Sequence, residues 1–412
     1  MSESGNEQIE VGRNSFEPIE NSTHTLARWA GTLLNLIGQE TPQFVHGGIL
    51  YWKGITTSIL DNSKSIPLRE ARAEAFNKIL NSYNKNEKRK IIREEHKRKR
   101  LTQELYDHHL IEVETSNGRL GGQVSILNPH AEGIPIVVIL GSSNDPESME
   151  SALVSLGMQT EQKIIAFGYP CAPNGKISKD FAKAVKKDTK QAQKSFRKDP
   201  KNGQPPSYAP YAEFFDALLQ HPDISAHLQN DENFDLWSYS GGAAIAAKLC
   251  AKYQNRINNA VFLNPAGSAT FSIDSDREFE QNMAKQGKLT FAEGKKYFRY
   301  TWWDDPRLPL LSKDKRLKFS TWQNLGRGTH YRIPEWDTVK TKGNILVFSG
   351  GMDYATMSRS TFSDENKPDN DAIHVLYEPE AHHITLLAFP DETIESILNF
   401  QHQLVKATQP VS

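Results

Sequence analysis

Cysteines and long apolar runs are both scarce in this chain. Only Cys171 and Cys250 occur in 412 residues, too few and too far apart for a disulfide framework. This indicates a reducing compartment or a protein that does not need disulfides. No stretch reaches the roughly 18 apolar residues that a membrane span requires. The first ten residues, MSESGNEQIE, are polar and acidic, unlike a secretory or transit peptide. We therefore expect a cytoplasmic protein, and leave open export by a route that reads another signal.

An overall excess of charge of either sign is also lacking, since the formal net charge is -1. The local distribution is uneven. Basic residues recur along one helix face at Lys179, Lys183, Lys186, Lys190, Lys194 and Arg197. A second basic cluster occupies residues 88–100. Solvation explains either cluster taken alone, but the two together make an anionic membrane surface an expected partner. No recognised RNA-binding motif accompanies them, and no nucleic acid is expected.

The periodicity of the chain changes near His109. Residues 1–107 predict a helical N-terminal extension, disordered over about its first 22 residues and ending in a charged helix at 85–106. Residues 110–127 then predict a β-hairpin with an Asn117-Gly118 turn.

Apolar runs suited to strands buried on both faces follow the hairpin, and helical patterns separate several of them. The runs are 135–140, 163–167, 234–237, 260–263, 344–348 and 373–377. This alternation predicts an α/β fold with a mostly parallel, doubly wound sheet. In such sheets ligands bind at the carboxyl ends of the strands.

The run 234–237 leads into Ser238-Tyr239-Ser240-Gly241-Gly242 and then into an alanine-rich helix. A nucleophilic serine in such a strained turn needs small residues two positions before and two positions after it. Ser240 has Ser238 and Gly242 there, whereas Ser238 as nucleophile would place Leu236 in a crowded position. Ser240 is therefore the predicted nucleophile.

This strand, turn and helix resemble the nucleophile elbow of the α/β-hydrolase family, with Ser238 in place of the first glycine. The resemblance spans roughly residues 110–404. It implies an α/β-hydrolase domain at 108–405, a lid insertion at about 268–340, and catalytic partners in the chain order serine, acid, histidine.

The resemblance assigns the acid to Asp353 and the base to His383. Asp353 follows the run 344–348 in Gly350-Gly351-Met352-Asp353, similar to the family's Gly-x-x-Asp. Two neighbouring histidines compete for the base. Pro390 follows His383 at the family's spacing and favours it over His382, which stays an alternative. His374 lies within the last run and is predicted to be structural or surface-exposed.

An oxyanion hole is expected from backbone N–H groups. Gly241 would supply one donor, and either Ser142 or Ser143 the other, with Gly141 allowing a close approach. Candidates for the pocket are Gly141, Tyr239, Tyr169 and Met352. Aromatic residues of the lid segment, Trp322 among them, either line an apolar pocket or pack on the body. No metal and no cofactor are expected.

These residues predict a serine hydrolase that cleaves a carboxylic ester, of a lipid or of another acyl group, through an acyl-enzyme. A peptidase or an acyltransferase would use the same three residues, because the constellation does not fix the substrate. The non-enzyme alternative is a catalytically inactive hydrolase fold that serves as a binding scaffold.

Overall fold

A computed structural model describes residues 85–142, 144–199, 202–228, 233–267, 313–328, 331–352, 370–382 and 385–408. Several predictions concern residues outside these ranges: the extension before residue 85, most of the lid segment, Ser143, Asp353 and His383.

Within the described ranges, one sheet contains eight strands in the spatial order β1-β2-β4-β3-β5-β6-β7-β8. The strands are β1 (His109–Thr115), β2 (Gly118–Leu127), β3 (Ile136–Ile139), β4 (Ile164–Phe167), β5 (Phe234–Tyr239), β6 (Ile257–Leu263), β7 (Ile345–Met352) and β8 (Ile373–His382). Strand β2 runs antiparallel to both β1 and β4, and the remaining neighbours are parallel. The predicted mostly parallel sheet and the hairpin are thereby confirmed.

Helices lie on both faces of this sheet. They are α1 (Lys85–Tyr106), α2 (Glu150–Thr160), α3 (Lys179–Lys198), α4 (Ala209–Leu219), α5 (Pro222–His227), α6 (Gly242–Tyr253), α7 (Lys313–Gly328), α8 (Thr385–Ala388) and α9 (Pro390–Thr408). In the described part of the chain, no helix is both long and apolar enough to cross a bilayer.

Successive side chains of a strand point to opposite faces of the sheet, so the continuous apolar runs build two cores. In β3, Val137 and Ile139 pack with residues of α3, α4 and α6. The alternate residues Ile136 and Val138 pack with residues of α1, α2 and α9. Burial on both faces explains why these strands show no polar alternation.

Helix α1 packs against the sheet, although the sequence predicts it as the end of an N-terminal extension. Its Leu101 and Leu105 are 0% exposed, and the carbonyl of Leu105 accepts a hydrogen bond from Ser125 Oγ at 2.7 Å. The carboxylate of Glu104 accepts the backbone N–H of Asn128 at 2.8 Å. The helix thus contributes to the core, while the domain boundary at 107/108 stays a prediction.

Helix α7 belongs to the predicted lid segment and lies beside α3. The hydroxyl of Thr189 in α3 donates to the carbonyl of Asn324 in α7 at 2.9 Å. Trp322 packs, partly buried, against the core on the α3 side of the sheet. For this tryptophan, packing on the body is therefore what the structure shows.

Candidate active site

Ser240 lies in the turn between β5 and α6, in the left-handed region with φ +53°. A residue with a side chain costs about 1–2 kcal/mol in that conformation, so the surroundings must hold it there. The N–H of Ser240 donates to the carbonyl of Leu263 at 3.0 Å, and its own carbonyl accepts the N–H groups of Ala243 and Ala266. These bonds tie the turn to the end of β6.

A close contact between α6 and β3 explains the glycine two residues after Ser240. A β-carbon at Gly242 would lie 2.4 Å from the carbonyl oxygen of Leu140 and 2.6 Å from that of Ile139. Both obstacles are backbone atoms, which cannot rotate away as a side chain can. Only glycine therefore lets the helix begin this close to the strand. This is the position where the sequence analysis requires a small residue.

The loop after β3 lies against the same turn. A β-carbon at Gly141 would lie 3.4 Å from Ser240 Cβ and 3.0 Å from the Tyr239 ring. A β-carbon at Gly241 would lie 1.7 Å from Ser142 Oγ and 3.5 Å from the Ser142 nitrogen. The structure thus brings Gly141, Ser142 and Gly241 together around Ser240. Ser143, the alternative donor, lies outside the described residues.

A buried carboxylate supports this loop, and the sequence analysis did not identify it. Asp145 is only 5% exposed. Its Oδ1 accepts the N–H of Ser148 at 3.1 Å, and its Oδ2 accepts Nδ2 of Asn174 at 3.2 Å. Burial is the main cause that raises the pKa of this carboxyl above its usual range, with the Ser148 hydrogen bond opposing it.

The ends of β6 and β7 are joined through Asn264, a second residue that the sequence analysis missed. Asn264 follows β6 with φ +43°, and its N–H donates to the carbonyl of Phe348 at 2.8 Å. Its side-chain Oδ1 accepts the N–H of Gly350 at 2.8 Å. A β-carbon at Gly350 would lie 2.4 Å from the carbonyl oxygen of Ala381 in β8. An asparagine directly after a strand is a recognisable signal for this left-handed turn.

The ladder between β7 and β8 continues to the residues just before the predicted acid and base. After a register shift at Gly350, Met352 pairs with His382. The backbones of these two residues are described, whereas Asp353 and His383 lie outside the described residues. The two described strands therefore end one residue before each predicted partner of Ser240.

The two tyrosines predicted for the pocket are buried. Tyr239 is 5% exposed and Tyr169 is 0% exposed. The Tyr169 ring lies edge-on to Tyr211 and Phe215, with centroid distances of 5.6 and 5.2 Å. Its backbone N–H donates to the carbonyl of Asn144 at 3.2 Å. The ring of Tyr169 thus belongs to a core, and its backbone supports the loop beside Ser240.

Strand order, strand direction and the position of the serine turn identify the architecture. A parallel sheet with an antiparallel second strand in the order β1-β2-β4-β3-β5-β6-β7-β8 carries a left-handed serine between its fifth strand and the following helix. The chain has the α/β-hydrolase fold.

Among the described residues, no group of three histidine, cysteine, aspartate or glutamate side chains gathers as metal ligands would.

No protein-family model matches the chain, and no curated protein matches it significantly. Solved structures with a similar chain trace include an esterase from Thermogutta terrifontis, with 11% identity over 72% of this chain and 99% of that chain, at a TM-score of 0.43. A Bacillus subtilis carboxylesterase shares 12% identity over 75% and 97%, at 0.41. A probable hydrolytic enzyme from Pseudomonas aeruginosa shares 14% over 71% and 93%, at 0.45. The hydrolase fold rests on the strand order and the turn rather than on these likenesses.

Proposed function

We propose that this protein is a serine hydrolase that cleaves a carboxylic ester, of a lipid or of another acyl group, with Ser240 as the nucleophile. The observation that carries the proposal is the left-handed turn at Ser240, φ +53°, with the loop at Gly141 and Ser142 packed against it. Backbone strain of this kind is retained at functional sites, where the surrounding structure enforces it. A nucleophile elbow uses it to expose the serine oxygen.

His383 is the proposed base and Asp353 the proposed acid. Each follows directly in the chain from a member of the Met352–His382 pair at the ends of β7 and β8. Neighbouring strands are about 4.8 Å apart and consecutive Cα atoms about 3.8 Å apart. Chain connectivity therefore favours a close approach of Asp353 and His383. Both would lie at the carboxyl ends of the strands, where Ser240 also lies.

The reaction follows from these roles. His383 takes the proton of Ser240 Oγ as the oxygen attacks the ester carbonyl carbon, and Asp353 stabilises the imidazolium that forms. The tetrahedral intermediate then expels the alkoxide, which takes the proton from His383. Water attacks the resulting acyl-enzyme, giving its proton to His383. The acid is released as that proton returns to Ser240.

The oxyanion of both tetrahedral intermediates would be bound by the backbone N–H of Gly241 and that of Ser142 or Ser143. Support comes from the close approach of Ser142 to Gly241, where an added β-carbon would lie 3.5 Å from the Ser142 nitrogen and would overlap the rotatable Ser142 Oγ. Loss of one preorganised donor lowers kcat by roughly a hundredfold to a thousandfold in serine hydrolases.

The test measures hydrolysis of p-nitrophenyl esters of increasing acyl length by the full chain. Ser240→Ala, His383→Ala and Asp353→Ala should each lower kcat by at least about a thousandfold. His374→Ala, a histidine within β8, is the matched control and should retain activity. His382→Ala decides between the two neighbouring histidines and should also retain it. Full turnover by Ser240→Ala would refute the proposal.

The same variants separate the neighbouring functions. A peptidase would turn over peptide anilides, which are intrinsically less reactive than p-nitrophenyl esters, whereas an esterase would leave them intact. An acyltransferase would prefer an added alcohol to water as acyl acceptor. Ester hydrolysis without anilide cleavage and without a preference for the alcohol supports the esterase. A folded wild-type protein that turns over none of these substrates would instead favour a binding scaffold.

A further inference from the structure

Helix α3 is the most strongly basic element that the structure describes. It contains eight basic and only two acidic residues, in a chain whose net charge is -1. Every one of the eight basic side chains is exposed. We call this set the basic face: Lys179, Lys183, Lys186, Lys187, Lys190, Lys194, Arg197 and Lys198.

The basic face is confined to one side of the helix. At 100° per residue, its eight members fall within an arc of about 120°. The buried residues of α3 occupy the opposite side, where they pack into the core: Phe181, Ala182, Val185, Thr189 and Ala192. The cations therefore form a strip about 30 Å long, given the rise of about 1.5 Å per residue.

Within the part of the chain that the structure describes, few acidic groups neutralise this strip. Asp180 pairs with Lys183 at 2.9 Å, but both side chains are about three-quarters exposed. The interaction energy of such exposed ion pairs is small. Asp188 instead accepts the backbone N–H groups of Ser207 and Tyr208. Within the described ranges, no carboxylate forms an ion pair with Lys186, Lys187, Lys190 or Lys194.

Helix α7 lies alongside α3. Its Lys318 Nζ donates to the carbonyl of Pro173 in the loop that leads into α3, at 3.2 Å. Further along, Asn324 accepts the hydroxyl of Thr189, so α3 and α7 run in the same direction. The exposed first turn of α7 contains Lys313, Lys315 and Arg316, together with Asp314, which pairs with Lys318 at 3.2 Å.

We propose that the basic face binds an anionic lipid bilayer surface. None of the exposed residues of α3 is aromatic, so the helix presents no exposed ring on which single-stranded bases would stack. A strip of flexible lysines on a convex helix fits a planar layer of lipid phosphates and carboxylates. This proposal is independent of the esterase activity.

Each lysine or arginine near an anionic bilayer strengthens binding about fivefold, an effect that fades within a Debye length. The wild-type chain should therefore sediment with vesicles that contain about 30 mol% phosphatidylserine, and not with vesicles of phosphatidylcholine alone. Raising the salt from about 0.1 M to 0.5 M should release it.

The quadruple variant K183Q/K186Q/K190Q/K194Q should lower vesicle partitioning by at least about a hundredfold at low salt. The matched control R89Q/K90Q/R93Q/K99Q removes four exposed cations from α1, which packs on the opposite face of the sheet. The control should partition within about threefold of wild type, since its charges lie far from the bound surface.

Three outcomes would overturn the proposal. One is the absence of binding to phosphatidylserine vesicles, and another is an equal loss in both quadruple variants. The third is tighter binding to an RNA hairpin than to vesicles at matched salt. Circular dichroism and unfolding midpoints of both variants establish that a loss of binding is not a loss of folding.

Discussion

The left-handed conformation of Ser240 predicts an unusual order of stability between two variants of that residue. With φ at +53°, alanine keeps the steric cost of a β-carbon, which is about 1–2 kcal/mol, whereas glycine removes it. Both variants lose the hydroxyl, so the loss cancels in the comparison. Glycine also raises the entropy of the unfolded chain, which offsets about 0.4–1 kcal/mol of this steric gain. We expect Ser240→Gly to be more stable than Ser240→Ala by about 1 kcal/mol.

The assay is urea unfolding followed by tryptophan fluorescence, with the midpoints compared at equal slopes. Ser320 provides the control, because it is an exposed serine within helix α7. There glycine should be the less stable replacement, by about 1 kcal/mol, as in any helix interior. The two sites should therefore give opposite signs. If Ser240→Gly unfolds at the same or a lower urea concentration than Ser240→Ala, the strain assigned to the turn is refuted.

Three further predictions concern the surroundings of the turn. Gly241→Ala should lower esterase kcat at least about tenfold, because its β-carbon would overlap Ser142 Oγ. Adding Ser142→Gly should restore part of the lost kcat. If kcat is not restored, the contact between positions 241 and 142 is not the cause of the loss. Gly350→Ala should lower the free energy of unfolding by about 1–3 kcal/mol, measured by urea titration, since the carbonyl of Ala381 blocks its β-carbon. Asp145 has a raised pKa in the folded protein, so its stabilising contribution is full below its ordinary pKa of 3.8 and is lost as the pH rises through the raised value. Urea titrations over that pH range should show Asp145→Asn gaining stability relative to wild type as the pH rises. A difference in unfolding free energy between the two proteins that does not change with pH would contradict the raised pKa.

Much of the fold could be predicted from the sequence because the strands are buried on both faces. Each apolar run of 135–140, 163–167 and 234–237 overlaps an observed strand, and helix α1 has the predicted bounds Lys85–Tyr106. The spatial order of the strands could not be predicted from these runs, because apolar periodicity does not say which strands are neighbours.

The ends of β7 and β8 show where the pattern fails. The apolar signal stops at Phe348 and at Tyr377, but the strands continue to Met352 and His382. The added residues pair with each other in the ladder. The two glycines that extend β7 and the polar Glu-Pro-Glu that extends β8 leave no apolar periodicity to detect. The extension matters for the site, because it ends directly before Asp353 and His383.

The turn at Ser240 could be predicted because small residues are required on both sides of it. Its supports could not, since they depend on contacts between distant segments. Asp145 is buried by the fold rather than marked by its neighbours in the chain. Asn264 satisfies a backbone N–H of β7, a role that appears only once β6 and β7 lie side by side.

The most direct test of the central claim is to map the site of reaction with a fluorophosphonate by mass spectrometry of the digested full-length protein. An activated serine attacks the phosphorus and displaces fluoride, whereas an ordinary serine does not react at neutral pH. We predict one phosphonylated peptide, modified at Ser240, which His383→Ala abolishes and His382→Ala does not. Unmodified Ser240 in the folded wild-type protein, or equal labelling in His383→Ala, would contradict the account.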